Sequence, residues 1–274
     1  MKPLFRYPGG KSRLAKRIAA AIFDGCNGMS EYFEPFFGSG AVCLEVLEYM
    51  EGQTILINDK DRNVMGIWKL VLEDPYRLID RIDGFKPDVG YLNMFRQMLH
   101  NEEGDWVDRA MMQIVLHQTS YGGLALMGGA YSGNSQKIAD RWHPTVLTKK
   151  ILQAHKLFSR FDVRCTSLDF AEVLQGVTKN SVLYCDPPYM SKTLAHPNEI
   201  KGNRLYRCGF SRADHERLAE TLKTLPCKWV LSLDDCAEAR ELYKWAKITQ
   251  IPASYTLSHN CTVELLIQPK IPIR

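Results

Sequence analysis

The sequence lacks several features that would mark a special class of protein. Its eight cysteines never form a Cys-x-x-Cys pair, so neither a zinc site nor a disulfide framework is expected, and a reducing cytosol is the expected compartment. No apolar run approaches a membrane span, and the first residues carry no long apolar signal segment. Repeats and low-complexity tracts are also missing. A chain of 274 residues is long enough for one large α/β domain with an insertion.

Two familiar nucleotide-binding patterns are missing as well. The dinucleotide pattern Gly-x-Gly-x-x-Gly does not occur, and a triphosphate-binding loop ending in Gly10-Lys11-Ser12 would need glycine where Phe5 stands. Positive charge is in only small excess. Lys and Arg number 35 against 31 Asp and Glu, a net charge of +4 that permits nucleic-acid binding without requiring it.

The most informative stretch runs from Ser181 to Tyr189. It begins as a short apolar run and stops at two prolines, and because proline cannot donate to a sheet ladder, the strand must end near Cys185 and Asp186. A carboxylate, a rigid turn and an aromatic ring are then held at a strand's carboxyl end, where open α/β sheets bind ligands. A buried strand with a proline turn explains the prolines but not the carboxylate, which is costly to bury without a use.

A glycine-rich turn follows an earlier predicted strand. Residues 31–40 read Glu-Tyr-Phe-Glu-Pro-Phe-Phe-Gly-Ser-Gly and precede a predicted helix over 41–47, so backbone and a helix N-terminus can approach a ligand. The next strand, 54–57, ends in Asn58 and Asp59. An acid about 20 residues past such a turn can bind ribose hydroxyls. A tight turn alone needs no ligand, but the acid favours a nucleoside-like one.

Two further stretches are candidates for the same pocket. Asp169 and Phe170 follow a predicted strand over 161–166, where they could bind and sandwich an adenine ring; Asp169 could equally be a helix N-cap, and both roles can hold together. Near the start, the glycines of Tyr7-Pro8-Gly9-Gly10-Lys11 would let backbone amides and a cation approach an anion. A plain turn before a helix beginning near Ser12 is the alternative.

Residues 60–119 predict several helices, and we assign their apolar stripes, such as Val64, Ile67, Trp68 and Val71, to the core. From Thr119 to Lys150 that pattern breaks into glycine-rich segments. Cations and aromatic rings follow one another there, which fits contact with phosphates and bases, although a solvated surface loop is the alternative. The basic segment 190–209 fits a lid or a nucleic-acid clamp. His215, in the first turn of a helix opened by a capping box at Ser211, is expected at the surface.

Four motifs in this order resemble the Dam-like D12 class, alpha-group, of N6-adenine-specific DNA methyltransferases. They are the Gly-Gly-Lys start, Phe-x-Gly-x-Gly, the insertion, and Asp-Pro-Pro-Tyr, which resembles the catalytic motif of DNA amino-methyltransferases. The resemblance implies a Rossmann-like class I methyltransferase fold, with a mixed sheet and helices on both faces. It implies S-adenosylmethionine as cofactor, double-stranded DNA as partner, and a cytoplasmic, nucleoid-associated enzyme. No metal, membrane or obligate protein partner is expected.

The resemblance also divides the chain and assigns its residues. Residues 1–60 and 150–274 are expected to form the catalytic domain, and 61–149 a helical insertion for DNA recognition. The residues expected to bind the cofactor are Tyr7, Pro8, Gly9, Gly10, Lys11, Glu34, Pro35, Phe36, Phe37, Gly38, Ser39, Gly40, Asn58, Asp59, Asp169, Phe170 and Asp186. Those expected to bind DNA are Tyr121, Tyr131, Asn134, Lys137, Arg141, Lys192, Lys201, Arg204 and Arg207.

The expected catalytic residues are Asp186, Pro187, Pro188 and Tyr189. The Asp186 carboxylate and the Pro187 carbonyl can each accept one N6–H bond and so localise the amine's lone pair, while Tyr189 can stack on a base flipped out of the duplex. The insertion differs from that of Dam proteins acting on GATC and looks more like those of phage-borne members. A different or relaxed target is therefore open. The alternatives are a non-catalytic DNA-binding relative, or methylation of cytosine N4, RNA or protein.

Overall fold

The computed structural model describes residues 1–24, 26, 28–125, 135–190, 208–253 and 262–270. Seven strands in this part of the chain form one sheet in the order β3-β2-β1-β4-β5-β7-β6. Their bounds are β1 Glu31–Glu34, β2 Thr54–Asn58, β3 Asp162–Thr166, β4 Ser181–Cys185, β5 Lys228–Asp234, β6 Lys247–Ala253 and β7 Thr262–Gln268. The first five strands are parallel, and β7 runs antiparallel between β5 and β6. This mixed sheet confirms the expected Rossmann-like methyltransferase fold.

The helices lie before, between and after these strands. Their bounds are α1 Ala15–Phe23, α2 Cys43–Val46, α3 Arg62–Glu73, α4 Pro75–Ile82, α5 Val89–His100, α6 Trp106–Thr119, α7 Ser135–Ala139, α8 Pro144–Phe158, α9 Phe170–Leu174, α10 Arg212–Thr224 and α11 Ala237–Leu242. Helices α3 to α6 each begin after an aspartate whose carboxylate accepts backbone N–H groups of the first turn, which satisfies donors that the helix cannot. No helix in the described ranges is long and apolar enough to cross a membrane.

Two apolar clusters cover the two faces of the sheet. One joins alternate residues of β1, β2 and β4, such as Tyr32 and Ile55, to α1 and to the helices between β2 and β3. The other joins the opposite residues, such as Phe33 and Leu183, to α9, α10 and α11. Strand residues therefore alternate between two buried faces, as a sheet covered by helices on both sides requires. The predicted core stripe of α3, which includes Trp68, is fully buried.

Helices α3 to α6 share one continuous apolar core with a face of the sheet, since Trp68 of α3 and Val115 of α6 belong to the same cluster as Ile55 of β2. The division into a catalytic domain and a DNA-recognition insertion over 61–149 stays a prediction. Two predicted helix starts differ from the structure. Residues 11–14 form turns, and α1 begins at Ala15 rather than near Ser12; α2 is a single turn continued by a 3-10 helix over Leu47–Tyr49.

His215 is not at the surface, and the prediction that placed it there is wrong. Its side chain is fully buried, with its ring edge-on to Phe210 at a centroid distance of 4.6 Å. The reason is helical spacing: His215 shares one face of α10 with Leu218, Ala219 and Leu222, all buried. The capping box at Ser211 and Asp214 is confirmed.

Candidate active site

One pocket opens at the carboxyl ends of β1 to β4, where the predicted site residues come together. Fourteen residues expected to bind the cofactor line it: Tyr7, Pro8, Gly10, Lys11, Glu34, Pro35, Phe36, Phe37, Gly38, Ser39, Asp59, Asp169, Phe170 and Asp186. Pro188, expected to be catalytic, lines it as well. Segments far apart in sequence therefore meet at one edge of the sheet, as the strand-end argument predicts.

The glycine-rich turn after β1 lies against the N-terminal stretch. Gly38 has φ +48°, and a Cβ built there would lie 2.8 Å from two ring carbons of Tyr7. Its carbonyl accepts a hydrogen bond of 2.9 Å from the Trp68 indole. Gly40, with φ +67°, faces the rings of Phe37 and Trp68 in the same way. These two positions need glycine for both backbone conformation and space.

Asp59 holds that turn to the end of β2. Its Oδ2 accepts the Gly38 N–H at 2.9 Å, and its Oδ1 accepts the Asp61 N–H at 2.9 Å. Burial raises the pKa of Asp59 to about 7, although the two backbone hydrogen bonds act in the opposite direction. Asp59 therefore shapes the pocket wall and also lines the cavity, where it is placed to bind hydroxyl groups.

Asn58 lies behind the pocket wall and does not line the cavity. Its amide nitrogen donates to the carbonyls of Pro35 and Leu168 at 3.0 and 3.1 Å. Its amide oxygen accepts from Leu168 N and Thr166 Oγ1 at 2.8 and 2.9 Å. All four bonding positions of the amide are used within the protein, so Asn58 ties the β1 and β3 loops together. Its predicted contact with the cofactor remains untested.

Asp169 is the N-cap of α9, with a capping box completed by Glu172. Its carboxylate also pairs with Arg217 at 2.9 Å and Lys60 at 3.3 Å. Partial burial acts to raise the pKa of Asp169, but hydrogen bonds from Arg217, the Ala171 amide and Lys60 outweigh it and lower the pKa. The N-cap role is confirmed, and the predicted adenine contact stays a prediction.

Three aromatic rings form an apolar wall beside Asp169. The Phe170 ring lies 5.6 Å from both Phe36 and Phe210, and the Phe36 and Phe210 rings meet edge-on at 5.5 Å. The Arg217 guanidinium stands 4.4 Å from the centroid of Phe170. Such a wall can hold a flat ring system, and an adenine ring fits its chemistry.

Asp186 immediately follows β4 and faces the pocket. Its Oδ1 accepts hydrogen bonds from Lys11 Nζ at 2.6 Å and from Ser232 Oγ at 2.9 Å. Its Oδ2 makes no hydrogen bond to the described part of the chain. Burial raises the pKa of Asp186 to about 6, with Lys11 lowering it and Glu264 raising it. The free oxygen can accept a hydrogen bond from a ligand.

The rest of the catalytic stretch is fixed from behind. The Met190 N–H donates to Asp234 Oδ1 at 2.8 Å, which closes the turn that contains both prolines. The Tyr189 hydroxyl donates a short hydrogen bond to Glu264 Oε1 and lies 3.4 Å from Lys11 Nζ. Lys11 also donates to the Gly9 carbonyl at 2.9 Å. Lys11 therefore links the N-terminal motif to the catalytic motif.

Glu34, at the end of β1, is an acid within the pocket wall. Its Oε2 accepts a hydrogen bond from the Tyr32 hydroxyl at 3.1 Å, and the side chain is almost fully buried. Burial raises the pKa of Glu34 well above its usual range, and the nearby charge of Asp186 raises it further. Burial therefore favours the protonated form of the Glu34 side chain.

Sequence reasoning missed several residues of the site. Ser232 and Glu264 come from β5 and β7 and touch Asp186 and Lys11. Phe210 and Arg217 come from α10 and the residues before it, and complete the aromatic wall. No motif marks Ser232 or Glu264, and the one local signal is that each is a polar residue between apolar neighbours in its strand. The sequence places Arg217 in the second turn of a predicted helix, but no pattern there indicates its contact with Phe170.

A second cavity, which we call the basic groove, adjoins the pocket. Its walls include five basic residues, Lys2, Arg6, Arg141, His143 and Lys150, and no Asp or Glu among the described residues that line it. It shares Tyr7, Gly10 and Ser39 with the pocket. Partial burial lowers the pKa of Lys150, and the charges of Lys2 and Arg6 lower it further. Basic residues gathered along one groove favour an anionic ligand.

The predicted DNA-binding residues are only partly described. Arg141 lines the basic groove, and Lys137 lies exposed on α7. The backbone of residues 121–123 packs on the N-terminal stretch, since a Cβ at Gly123 would lie 2.9 Å from the Arg6 backbone. Trp142 is buried and donates to the Phe85 carbonyl at 2.8 Å, so this ring belongs to the core. Tyr131, Asn134, Lys192, Lys201, Arg204 and Arg207 lie outside the described residues.

The chain is similar in sequence to several known DNA methyltransferases. A DNA adenine methylase from Haemophilus influenzae is 24% identical in an alignment 285 residues long, which covers 99% of this chain and 93% of the relative. A type II methyltransferase, M.MjaIII, from Methanocaldococcus jannaschii is 25% identical over 82% of this chain and 80% of its own. A DNA N-6-adenine-methyltransferase from Escherichia phage P1 is 26% identical over 69% of this chain but only 24% of its own.

The family model for the D12 class N6 adenine-specific DNA methyltransferases matches residues 7–257. The matched range begins at Tyr7 of the N-terminal motif and contains the glycine-rich turn and the Asp-Pro-Pro-Tyr stretch that meet in the pocket. With these elements present and in order, the chain belongs to the D12 class of N6 adenine-specific DNA methyltransferases.

Proposed function

We propose that this enzyme transfers a methyl group from S-adenosylmethionine to the N6 amine of an adenine flipped out of double-stranded DNA. The observation that carries the proposal is the geometry of Asp186. Two protein donors occupy its Oδ1, and its Oδ2 is left for a ligand at the carboxyl end of β4. A fixed carboxylate oxygen is what an amine about to gain positive charge requires.

The pocket residues suit S-adenosylmethionine, which would supply the methyl group as a sulfonium. The wall formed by Phe36, Phe170 and Phe210 suits an adenine ring. Asp59 is placed to accept hydrogen bonds from ribose hydroxyls beside the glycine-rich turn. The carboxylate of Asp186 favours a cation. The residues present therefore fit this cofactor.

Asp186 and Pro187 act on the amine of the target base. The carboxylate and the Pro187 carbonyl each accept one N6–H bond, which draws the nitrogen lone pair out of the ring's π-system toward the methyl group. The rigid Pro-Pro turn and the Met190 bond to Asp234 hold both acceptors in place, so little reorganisation is needed. The new N–C bond replaces the donor's S–C bond, and only then does the N6 proton held by Asp186 Oδ2 pass to that carboxylate and on to solvent.

Tyr189 is the residue proposed to stack on the flipped base. The amine cannot be reached within a duplex, and extruding the base costs a few kcal/mol, which stacking on an aromatic ring helps to offset. The Tyr189 ring is held at its hydroxyl by Glu264 and at its face by Lys11, whose Nζ lies 4.9 Å from the ring centroid. Because the Tyr189 ring is already held in place, it can stack on a base without losing further conformational freedom.

The basic groove is proposed to bind the DNA backbone next to the flipped base. Its basic residues lie on the side of the pocket formed by Tyr7, Gly10 and Ser39, which line both cavities. Phosphate contacts position a duplex without reading its sequence. Residues 61–149 are proposed to supply the sequence-reading contacts, with Lys137 among them, whereas Arg141 contacts the backbone from the groove.

The experiment that tests the proposal uses labelled S-adenosylmethionine and unmethylated DNA, followed by digestion to nucleosides. We expect label in N6-methyladenine from duplex DNA, much less from single strands, and none from Asp186→Ala. Asp162→Asn, an exposed acid at the far end of the sheet, is the matched control and should retain activity. Label in N4-methylcytosine in place of N6-methyladenine would replace the proposal with the cytosine alternative, and label in RNA but not in DNA, from a parallel incubation with RNA, would replace it with the RNA alternative.

A further inference from the structure

His117 is a buried histidine near the end of α6 that no sequence motif marks. Only 3% of it is exposed. Its Nδ1 lies 2.8 Å from the Gly123 carbonyl, which can only accept, so Nδ1 carries the proton. Its Nε2 lies 2.9 Å from the Gln113 amide nitrogen, which donates to it. Burial lowers the pKa of His117 to about 4 against the opposing effect of the Gly123 bond, in agreement with a neutral ring.

The His117 ring also packs on two rings of the N-terminal stretch. The Phe5 ring stacks on it at a centroid distance of 5.0 Å and an angle of 23°, and the Tyr7 ring lies 5.2 Å away at 43°. Tyr7 in turn lies against Gly38 in the wall of the cofactor pocket. His117 is not among the described residues that line that pocket, so it supports the Tyr7 ring from behind.

The turn that follows α6 meets the same N-terminal stretch. Gly123 has φ +76°, and a Cβ there would lie 2.9 Å from the Arg6 carbonyl carbon, so the turn packs directly onto the backbone next to Tyr7. Tyr121, one of the residues expected to bind DNA, lies in this turn. His117 therefore contacts both the turn proposed to meet DNA and the ring proposed to meet the cofactor.

We infer that His117 is a positioning residue that couples the two ligands, because it transmits the position of the turn at Gly123 to the Tyr7 ring. The inference rests on the proposed function. DNA that fixes the turn would fix the histidine through its Nδ1 bond, and a fixed histidine holds Tyr7 ready for the cofactor. Coupling between two sites is reciprocal, so the cofactor should tighten DNA binding by the same factor. His117 touches neither ligand in this assignment.

The test is the affinity for labelled S-adenosylhomocysteine, measured by equilibrium dialysis of the purified full chain with and without excess unmethylated plasmid DNA. We expect the wild type to bind this ligand about 5- to 10-fold more tightly when DNA is present. His117→Phe keeps an aromatic ring beside Tyr7 but loses the bond to Gly123. We expect its affinity without DNA to stay within about twofold of wild type, and the gain with DNA to disappear.

His117→Asn makes the opposite change. Its amide can still donate to the Gly123 carbonyl but offers no ring to Tyr7, so the affinity without DNA should fall on the order of tenfold. His100→Asn, a matched substitution of an exposed histidine at the end of α5, should change neither the affinity nor the gain. The melting temperature of each variant reports folding.

Gly123→Ala keeps the inference testable if His117→Phe does not fold. It leaves the histidine in place but forces the turn away from the Arg6 backbone, and it should also remove the gain with DNA.

Three results would overturn the inference. They are a wild-type affinity that is the same with and without DNA, a full gain retained in His117→Phe or Gly123→Ala, and an equal loss of affinity in both conditions in His117→Phe, which indicates a structural role alone. Failure of the proposed function is seen separately, because it requires that the wild-type enzyme form no N6-methyladenine. A wild type that methylates adenine with a gain insensitive to His117 rejects this inference alone.

Discussion

Lys11 Nζ lies 2.6 Å from Asp186 Oδ1, so an ion pair joins the N-terminal motif to the catalytic motif across 175 positions of the chain. The same nitrogen donates to the Gly9 carbonyl, which holds the lysine in the turn where it begins. Lys11 is almost fully buried, and it forms an ion pair with the carboxylate of Asp186. The cofactor-side lysine suggested by the motif is therefore also the partner of Asp186.

The first prediction concerns pH. In the proposed mechanism Asp186 is ionised when it accepts the hydrogen bond from the amine. Burial raises the pKa of Asp186 to about 6, with Lys11 lowering it and Glu264 raising it. Activity should therefore be present above about pH 6 and be lost as the pH falls through that value. We expect kcat/KM measured under single-turnover conditions to fall about tenfold per pH unit on the acid side.

Lys11→Met supplies the control for that pH profile. Removing the cation removes an interaction that lowers the pKa of Asp186, so the acid limb should move to higher pH. A variant with reduced activity and an unmoved midpoint would show that another group controls the limb.

The second prediction concerns Asp59. Its carboxylate accepts N–H groups of Gly38 and Asp61, and Asp59→Asn would turn an amide donor toward one of them. We expect S-adenosylmethionine affinity to fall about 10- to 100-fold, the usual cost of losing a hydrogen bond to a charged group. Burial raises the pKa of Asp59 to about 7, so wild-type affinity should also weaken between pH 8 and pH 6. Calorimetry at both values, with the fold checked by circular dichroism, decides: unchanged affinity in the variant removes Asp59 from the site.

The third prediction concerns Gly38. An alanine Cβ there would lie 2.8 Å from two carbons of the Tyr7 ring at a φ of +48°, so Gly38→Ala combines backbone strain with a clash. Strain of this kind costs of order 1–3 kcal/mol, and displacement of Tyr7 should also weaken cofactor binding. Gly52→Ala is the matched control, because Gly52 has φ +76° but nothing within 4 Å of its Cβ. Urea unfolding and ligand binding should show a larger loss for Gly38→Ala; equal losses would mean that the Tyr7 contact is unimportant.

Much of the site could be predicted because its chemistry stands at strand ends. Asp59, Asp169 and Asp186 each follow a predicted strand, and parallel strands bring their carboxyl ends to one edge. The alternation of strands and helices also favours a parallel arrangement of β1 to β5. The burial of His215 was wrongly predicted, although residues 215, 218, 219 and 222 have the spacing of one helical face.

The remainder depended on long-range packing that local patterns do not encode. Glu264 reaches Lys11 only because β7 inserts antiparallel between β5 and β6. Ser232 reads as one polar residue in an apolar strand, yet it links the Tyr184 hydroxyl, at 2.8 Å, to Asp186. Asn58 ends its strand next to Asp59 but turns to the wall behind the pocket. Adjacent residues at a strand end face opposite sides, so motif membership alone cannot assign both to a ligand.

The fourth prediction concerns the basic groove. Neutralising phosphates releases counterions, so log affinity falls with log salt by about 0.9 per contact in duplex DNA. Lys2→Gln and Arg6→Gln should each weaken DNA binding about equally for all sequences and reduce the salt slope by roughly one contact. Lys179→Gln, an exposed lysine just before β4 at the opposite end of the sheet, is the matched control. Fluorescence anisotropy over a salt series gives both quantities. A change in sequence preference without a change in slope would make these residues base-reading contacts, and no change in either would place the DNA on another surface.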